Sequence, residues 1–257
     1  MKRKLCIACV TTLTILLAQG SAFAGGWGPY FSWGRDEPST GFPEDLVDAV
    51  RSLPPEYWGL LGLDRDEVIR QVEEASLDVS VNHLTFGVIY ESAPARDKLF
   101  SYRGTLGFDI ATSISVEEVD IAGINIDDIG IDLDESSKYG LSTNHTFAFG
   151  IIRTDLLKWW VGPGIGLTFN YYSKDVDFFG QTVDFKAANL SVGGGAETGV
   201  NFNLGPRMTL CVGGGIHWRA FAFGGGPKDE DIAFVWGDGP FYFIETSLLF
   251  RTGADRS

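Results

Sequence analysis

Cysteine is nearly absent from this 257-residue chain, which carries three: Cys6, Cys9 and Cys211. The first two sit in an apolar N-terminal segment; without that segment Cys211 stands alone, which excludes an internal disulfide and a cysteine metal centre. Basic residues are also scarce. Against 34 Asp and Glu there are 20 Lys and Arg, a net charge of −14. Such a chain has no basic face to offer a phosphate backbone, so nucleic acid is excluded as a partner. Beyond the N-terminal segment no stretch holds 18 consecutive apolar residues, so no transmembrane helix is available.

What the chain does have begins with that segment. Lys2, Arg3 and Lys4, the mostly apolar run Leu5 to Leu17, and Ala22-Phe23-Ala24 read as a secretory signal peptide over residues 1–24. Residues 25–257 are then long enough for one domain with a full core. Within them, residues 157–224 alternate large apolar residues with Gly, Thr, Asn or a charge. Every second residue of a strand falls on one face. Over the last of these runs, Leu210, Val212, Ile216 and Trp218 share one face, and Thr209, Gly213, Gly215, His217 and Arg219 the other. Soluble strands are usually about 5–6 residues long, whereas a tilted membrane-crossing strand needs about 9–11. Runs of this length predict the wall of a transmembrane β-barrel.

Eight strands follow from the alternation: 25–34, 79–92, 99–115, 139–152, 158–173, 186–204, 207–223 and 240–251. In the third, Phe100, Tyr102, Leu106, Phe108 and Ile110 oppose Arg103, Thr105, Gly107 and Asp109. Residues 35–78 differ in kind: helical spacing of Leu46, Val47, Val50 and Leu53, a stop at Pro54-Pro55, and a second helix from about Asp64 to Ala75 predict a small helical insertion that caps a barrel mouth. The connections run long, short, long, short, medium, short, long. Outer-membrane barrels alternate long outer loops with short periplasmic turns in this way, and a closed barrel leaves no unpaired strand edge in lipid. The expected fold is therefore all-β: an eight-stranded antiparallel up-and-down transmembrane barrel, with an acidic outer loop at 117–137. Trp159, Tyr171, Trp218 and Tyr242, near strand ends, suit interfacial girdles.

An eight-stranded barrel has an interior that side chains can fill. The inward-facing positions include Arg103, Asp109, Glu197, Arg219 and Glu245, with His83 and His217. Charges of both signs in a narrow tube should pair, because an isolated buried charge costs several kcal/mol or more. A static network that seals the tube and a gated polar pore are both open on this evidence.

With the signal segment, the WVGPGIGLTFNY and VGGGAETGVNFNL strands and the aromatic strand ending at Phe250, the chain resembles small bacterial outer-membrane β-barrels, the OmpA-like transmembrane domain and its opacity-protein relatives. The resemblance covers roughly residues 79–251. It implies residence in the outer membrane, contact with its lipid and lipopolysaccharide, recognition of the terminal aromatic strand by the barrel-assembly machinery, and an interior ionic network. Arg251–Ser257 follow Phe250.

Other chemistries have weaker support. Some outer-membrane barrels process lipids with a Ser/His/acid set near the rim, and His145 with nearby Ser142 is the candidate here. No local motif such as G-x-S-x-G places a nucleophile, so a non-enzymatic protein is expected. Asp127, Asp128, Asp132, Asp134 and Glu135 offer oxygen ligands for Ca²⁺ or Mg²⁺ but lack the EF-hand spacing. Gly193–Gly195 and Gly213–Gly215 fall mid-strand without a following helix and are no phosphate loop. No cofactor or metal is expected. The expected role is envelope structure or surface interaction, with a narrow pore as a variant. The alternative is binding or transport of a small apolar ligand under the long first loop, and a soluble lipocalin-like barrel is disfavoured by the apolar outward positions.

Overall fold

The computed structural model describes residues 25–41, 44–94, 98–116, 120–121, 124–125, 137–178, 181–227 and 233–251. Residues 1–24, where the signal peptide is expected, most of the 117–137 loop, residues 228–232 and residues 252–257 lie outside them. Eight long strands form the wall among the described residues: β1 (Gly26–Asp36), β3 (Ser76–Glu91), β4 (Phe100–Val116), β7 (Ser137–Arg153), β8 (Leu157–Phe178), β9 (Gln181–Gly205), β10 (Met208–Pro227) and β11 (Ala233–Arg251). Each pairs antiparallel with its sequence neighbour in the ring, and β1 pairs with both β3 and β11, which closes the barrel. The short β2 (Ser39–Gly41) continues β1, bridging β3 and β11. A two-residue hairpin, β5 (Asp120–Ile121) and β6 (Ile124–Asn125), stands apart from the wall.

The alternation does what the periodicity dictates. From Phe241 to Phe250 odd-numbered residues are buried, while even-numbered ones are mostly exposed. Around the outside, Phe86, Phe108, Leu141, Ile165, Phe169, Leu190, Ile216 and Ile244 are exposed. Inside, the buried set is rich in Ser, Thr, Asn, His and paired charges. An apolar exterior around a polar interior inverts the soluble arrangement and matches a wall that faces lipid. Among the described residues no helix is long and apolar enough to cross a membrane.

Several boundaries differ from the sequence reading. The 35–78 insertion is narrower, because β1 runs to Asp36, β2 covers 39–41 and β3 opens at Ser76. It holds three helices rather than two: α1 (Glu44–Ser52), α2 (Pro55–Leu61) and α3 (Arg65–Glu74). Pro55 does not end helical structure but begins α2, since proline at a first helical position loses no hydrogen bond. α2 closes at Gly62, whose φ of 68° admits the left-handed cap. α3 starts at Asp64, whose carboxylate accepts from the Asp66 and Glu67 backbone N–H groups. The helices bury a small core of their own, Val47, Trp58, Val68 and Val72, and Arg51 ties α1 to Glu73 of α3 at 2.6 Å.

The medium loop expected at 174–184 is a continuation of the wall. β8 and β9 stay in register from Leu157↔Phe202 to Phe178↔Gln181. In the sequence there, Asp175, Asp177, Thr182 and Asp184 alternate with Val176, Phe178, Val183 and Phe185. Each run is only four residues long, and the two lie either side of Phe179-Gly180, a pattern that reads as a loop. A strand of 22 residues is roughly 70 Å long, and even tilted by about 40° it rises well above a lipid-facing band of about 25 Å. β11 likewise opens at Ala233 rather than 240.

Candidate functional site

The interior is layered, beginning at the end that carries the short turns. Glu91 closes β3 and Arg103 lies opposite it on β4 in the ladder. Lys158 and Asn201 form the corresponding pair on β8 and β9, and Asn201 in turn faces Cys211 on β10. Arg103 crosses the lumen to hold Glu91 at 2.9 Å and Glu245 of β11 at 2.6 Å. Its guanidinium lies 4.3 Å from the Trp160 ring centroid and reaches the Cys211 Sγ at 2.9 Å. Lys158 Nζ lies 3.5 Å from Glu91 and donates to the Ala93 carbonyl and the Ser101 hydroxyl. Asn201 donates to both Glu91 oxygens and to the Pro94 carbonyl, and accepts from the Trp160 indole. The β3–β4 turn is thereby drawn inward, with Ala93 and Pro94 buried. Two cations and two carboxylates balance, and the four side chains are 0–4% exposed. Such a cluster survives without water only because each charge meets an opposite one and further hydrogen bonds.

The middle layer centres on Glu197 of β9. It accepts from Thr146, from Asn144 Nδ2 at 2.8 Å and from His217 Nε2 at 2.8 Å. Gly164 makes room for it, since a Cβ there would collide with the Glu197 carboxylate. His217 packs edge-on to Phe243 at 5.4 Å. Toward the other end, Asp109 accepts from Thr85 at 2.5 Å and Ser142 at 3.0 Å. Arg219 pairs with Asp36 at 3.2 Å and lies over the Phe241 ring at 3.3 Å. His83 stacks on the same ring and approaches Asp36 at 3.8 Å.

All five polar residues expected inside are buried. The structure brings Arg103 to Glu245, but gives Glu197 to His217 and Arg219 to Asp36. Three partners escaped the sequence reading: Glu91, Lys158 and Asp36. Glu91 and Lys158 fall at the ends of the assigned strands, where they are not counted among the inward positions, and Asp36 lies beyond the assigned end of the first strand. Parity with His83 and Gly162 would have turned Glu91 and Lys158 inward.

The outer wall bears on the hydrolase alternative. Ser142 faces the lumen and donates to Asp109, so it cannot serve His145, which lies on the opposite face of β7. His145 instead joins Tyr102 (Oη to Nδ1, 2.6 Å) and Thr143 (Nε2 to Oγ1, 3.2 Å). Thr143 donates its single proton to the Thr105 carbonyl at 2.7 Å. The ring therefore donates to Thr143 from Nε2 and accepts from Tyr102, so neither nitrogen is turned to Ser142. On the same outer wall Trp27 meets Tyr90 at 4.8 Å and Tyr139 meets Tyr171 at 5.5 Å; Trp159, Trp218 and Tyr242 are exposed there as well. The acidic set from Asp127 to Glu135 lies outside the described residues.

No protein-family model matches the chain, and no curated protein matches it. Among solved structures it is similar to the outer membrane protein OprG from Pseudomonas aeruginosa, at 11% identity and a TM-score of 0.46, over 90% of this chain and 98% of that one. It is also similar to Ail, the attachment invasion locus protein of Yersinia pestis, at 10% identity and a TM-score of 0.35, over 89% and 99%. Neisserial surface protein A is similar at 8% identity and a TM-score of 0.30, over 86% and 96%. What fixes the fold is the closed strand order with its apolar exterior and polar interior: the chain is a small up-and-down β-barrel of the outer-membrane type.

Proposed function

We propose that this chain is a non-enzymatic outer-membrane protein whose barrel is a closed anchor rather than a pore. On this reading it carries the long β8–β9 hairpin and the helical cluster on the outer side, in an envelope-structural or surface-interaction role. The observation that carries it is the buried cluster of Glu91, Arg103, Lys158 and Glu245, which fills the lumen at the short-turn end with charges that neutralise one another. An ion crossing there would have to separate pairs whose members are costly to strand. The apolar belt supports a lipid-embedded position, and the N-terminal segment supports export. Contact with outer-membrane lipid and lipopolysaccharide, and delivery by the barrel-assembly machinery, follow from the same reading.

A small apolar ligand inside the barrel fits less well, because a luminal cavity among the described residues, bounded by Asp36, Val81, Asn189, Ser191 and Arg219, measures about 30 Å³, room for a single water. Two measurements test the proposal. Envelope fractionation should recover the protein with the outer membrane; recovery as a soluble periplasmic protein would overturn it. The purified barrel in planar bilayers should show no steady conductance, whereas Arg103→Ala should admit intermittent current. Stable channels from the unaltered protein would establish the pore reading instead.

A further inference from the structure

The Glu197 carboxylate fixes the orientation of two neighbours at once. It accepts from Asn144 Nδ2 and from His217 Nε2, so the amide must turn Oδ1 away from it and the imidazole must turn Nδ1 away from it. Both atoms are buried and have no hydrogen-bond partner in the chain. Both point to the same place. The three heavy atoms nearest to a Cβ built on Gly166 are Asn144 Oδ1, His217 Nδ1 and Arg219 Nη2, each at 3.6 Å. Three polar ends from two strands, Asn144 of β7 and His217 and Arg219 of β10, thus converge on a point of the lumen wall, on β8, that carries no side chain. His217 is 1% exposed and Arg219 8%.

We propose that these three atoms and the bare Gly166 backbone form a binding site for one neutral, water-sized molecule. The chemistry selects the ligand. A cation is repelled by the Arg219 guanidinium, and an anion by Asn144 Oδ1 and the adjacent Glu197 carboxylate. What fits is a small neutral molecule that donates to Asn144 Oδ1, accepts from Arg219 and can either donate to or accept from His217 Nδ1: a water molecule. Leaving these polar atoms unpaired would cost on the order of one to two powers of ten each in the folding equilibrium, by the usual penalty for a buried unsatisfied polar group. The bound water also joins two networks. Thr146, Glu197 and His217 become continuous with Arg219 and Asp36, so hydrogen bonds run from mid-barrel to the end of β1.

A crystal structure of the full barrel folded in detergent tests this directly, with Gly166→Ala beside it. One solvent oxygen within about 3.2 Å of all three atoms is expected in the parent. It should be missing in G166A, whose thermal midpoint should fall even though the added methyl group meets nothing closer than ordinary contact. Direct contact between Asn144 and Arg219 with no solvent between them would overturn the proposal, as would an anion or metal at the point. So would a higher midpoint for G166A, the usual result of Gly→Ala where the backbone tolerates it. Should G166A not fold, water-to-His217 ring NMR cross-relaxation in the parent decides: a signal is expected, and its absence overturns the site.

Discussion

Arg103 is the residue on which the interior turns. It satisfies Glu91 and Glu245 together, and removing it strands the buried Glu245 carboxylate and leaves Glu91 to Lys158 and Asn201. Arg103→Met should therefore destabilise the barrel by about 3–5 kcal/mol, the cost of breaking a buried pair, read as a lower urea midpoint in lipid vesicles. Adding Glu245→Gln should recover part of that loss, because the stranded charge is then gone. Gly164 is coupled to Glu197 in a different way. Gly164→Ala should lower the midpoint because its methyl group displaces the carboxylate, and most of that cost should vanish in a Glu197→Ala background. A double-mutant cycle showing simple additivity would contradict the contact.

At the scale of elements, the strands and the helical cluster obey different physics. Ile165 lies on the outer face of β8 and is exposed. Ile165→Arg should cost about 2–4 kcal/mol if it sits near the bilayer midplane, measured by the same vesicle unfolding. In detergent, where the micelle can deform around the charge, the penalty should shrink. The helices depend on surface ion pairs instead. Hydrogen bonds from Arg70, then Gln71, hold the Glu67 carboxyl below its usual range, and Arg51 is raised by its bonds to Glu73 and Asp48. A carboxyl with a depressed folded value gives stability that is present above its unfolded value, about 4.3, and lost as pH falls through the folded one. Hydrogen exchange over residues 44–74 should thus speed up, relative to the intrinsic rate, below about pH 4, while the wall strands stay protected. Because these pairs are solvated, the change should be small and should fade in high salt.

For the whole molecule, closure is the decisive property. With β1 paired to β3 and β11, every wall strand has two neighbours and the lipid-facing belt has no open edge. Folded and unfolded forms should then migrate differently on a gel before and after boiling, and co-migration would argue against a closed barrel. Replacing residues 174–184 by a tight turn should leave that shift intact, since this part of the hairpin lies at the end of the β8–β9 ladder opposite the layer of Lys158 and Asn201.

Sequence alone determined the face of each residue, because side-chain direction alternates through covalent geometry and needs no distant partner. That sufficed for the number of long strands, the short turns, the apolar exterior and the buried positions of Arg103, Asp109, Glu197, Arg219 and Glu245. It did not suffice where the alternating runs were short, as in the upper parts of β8 and β9, or where a charge at a strand end was not carried into the inward set, as at Glu91. The choice of partners belonged to tertiary structure. Arg103 meets Glu245 across 142 positions of chain and Arg219 meets Asp36 across 183. Which side chains share a layer depends on how the strands stagger when the sheet closes on itself. The stagger is set by the whole ring of backbone hydrogen bonds, and no single strand encodes it.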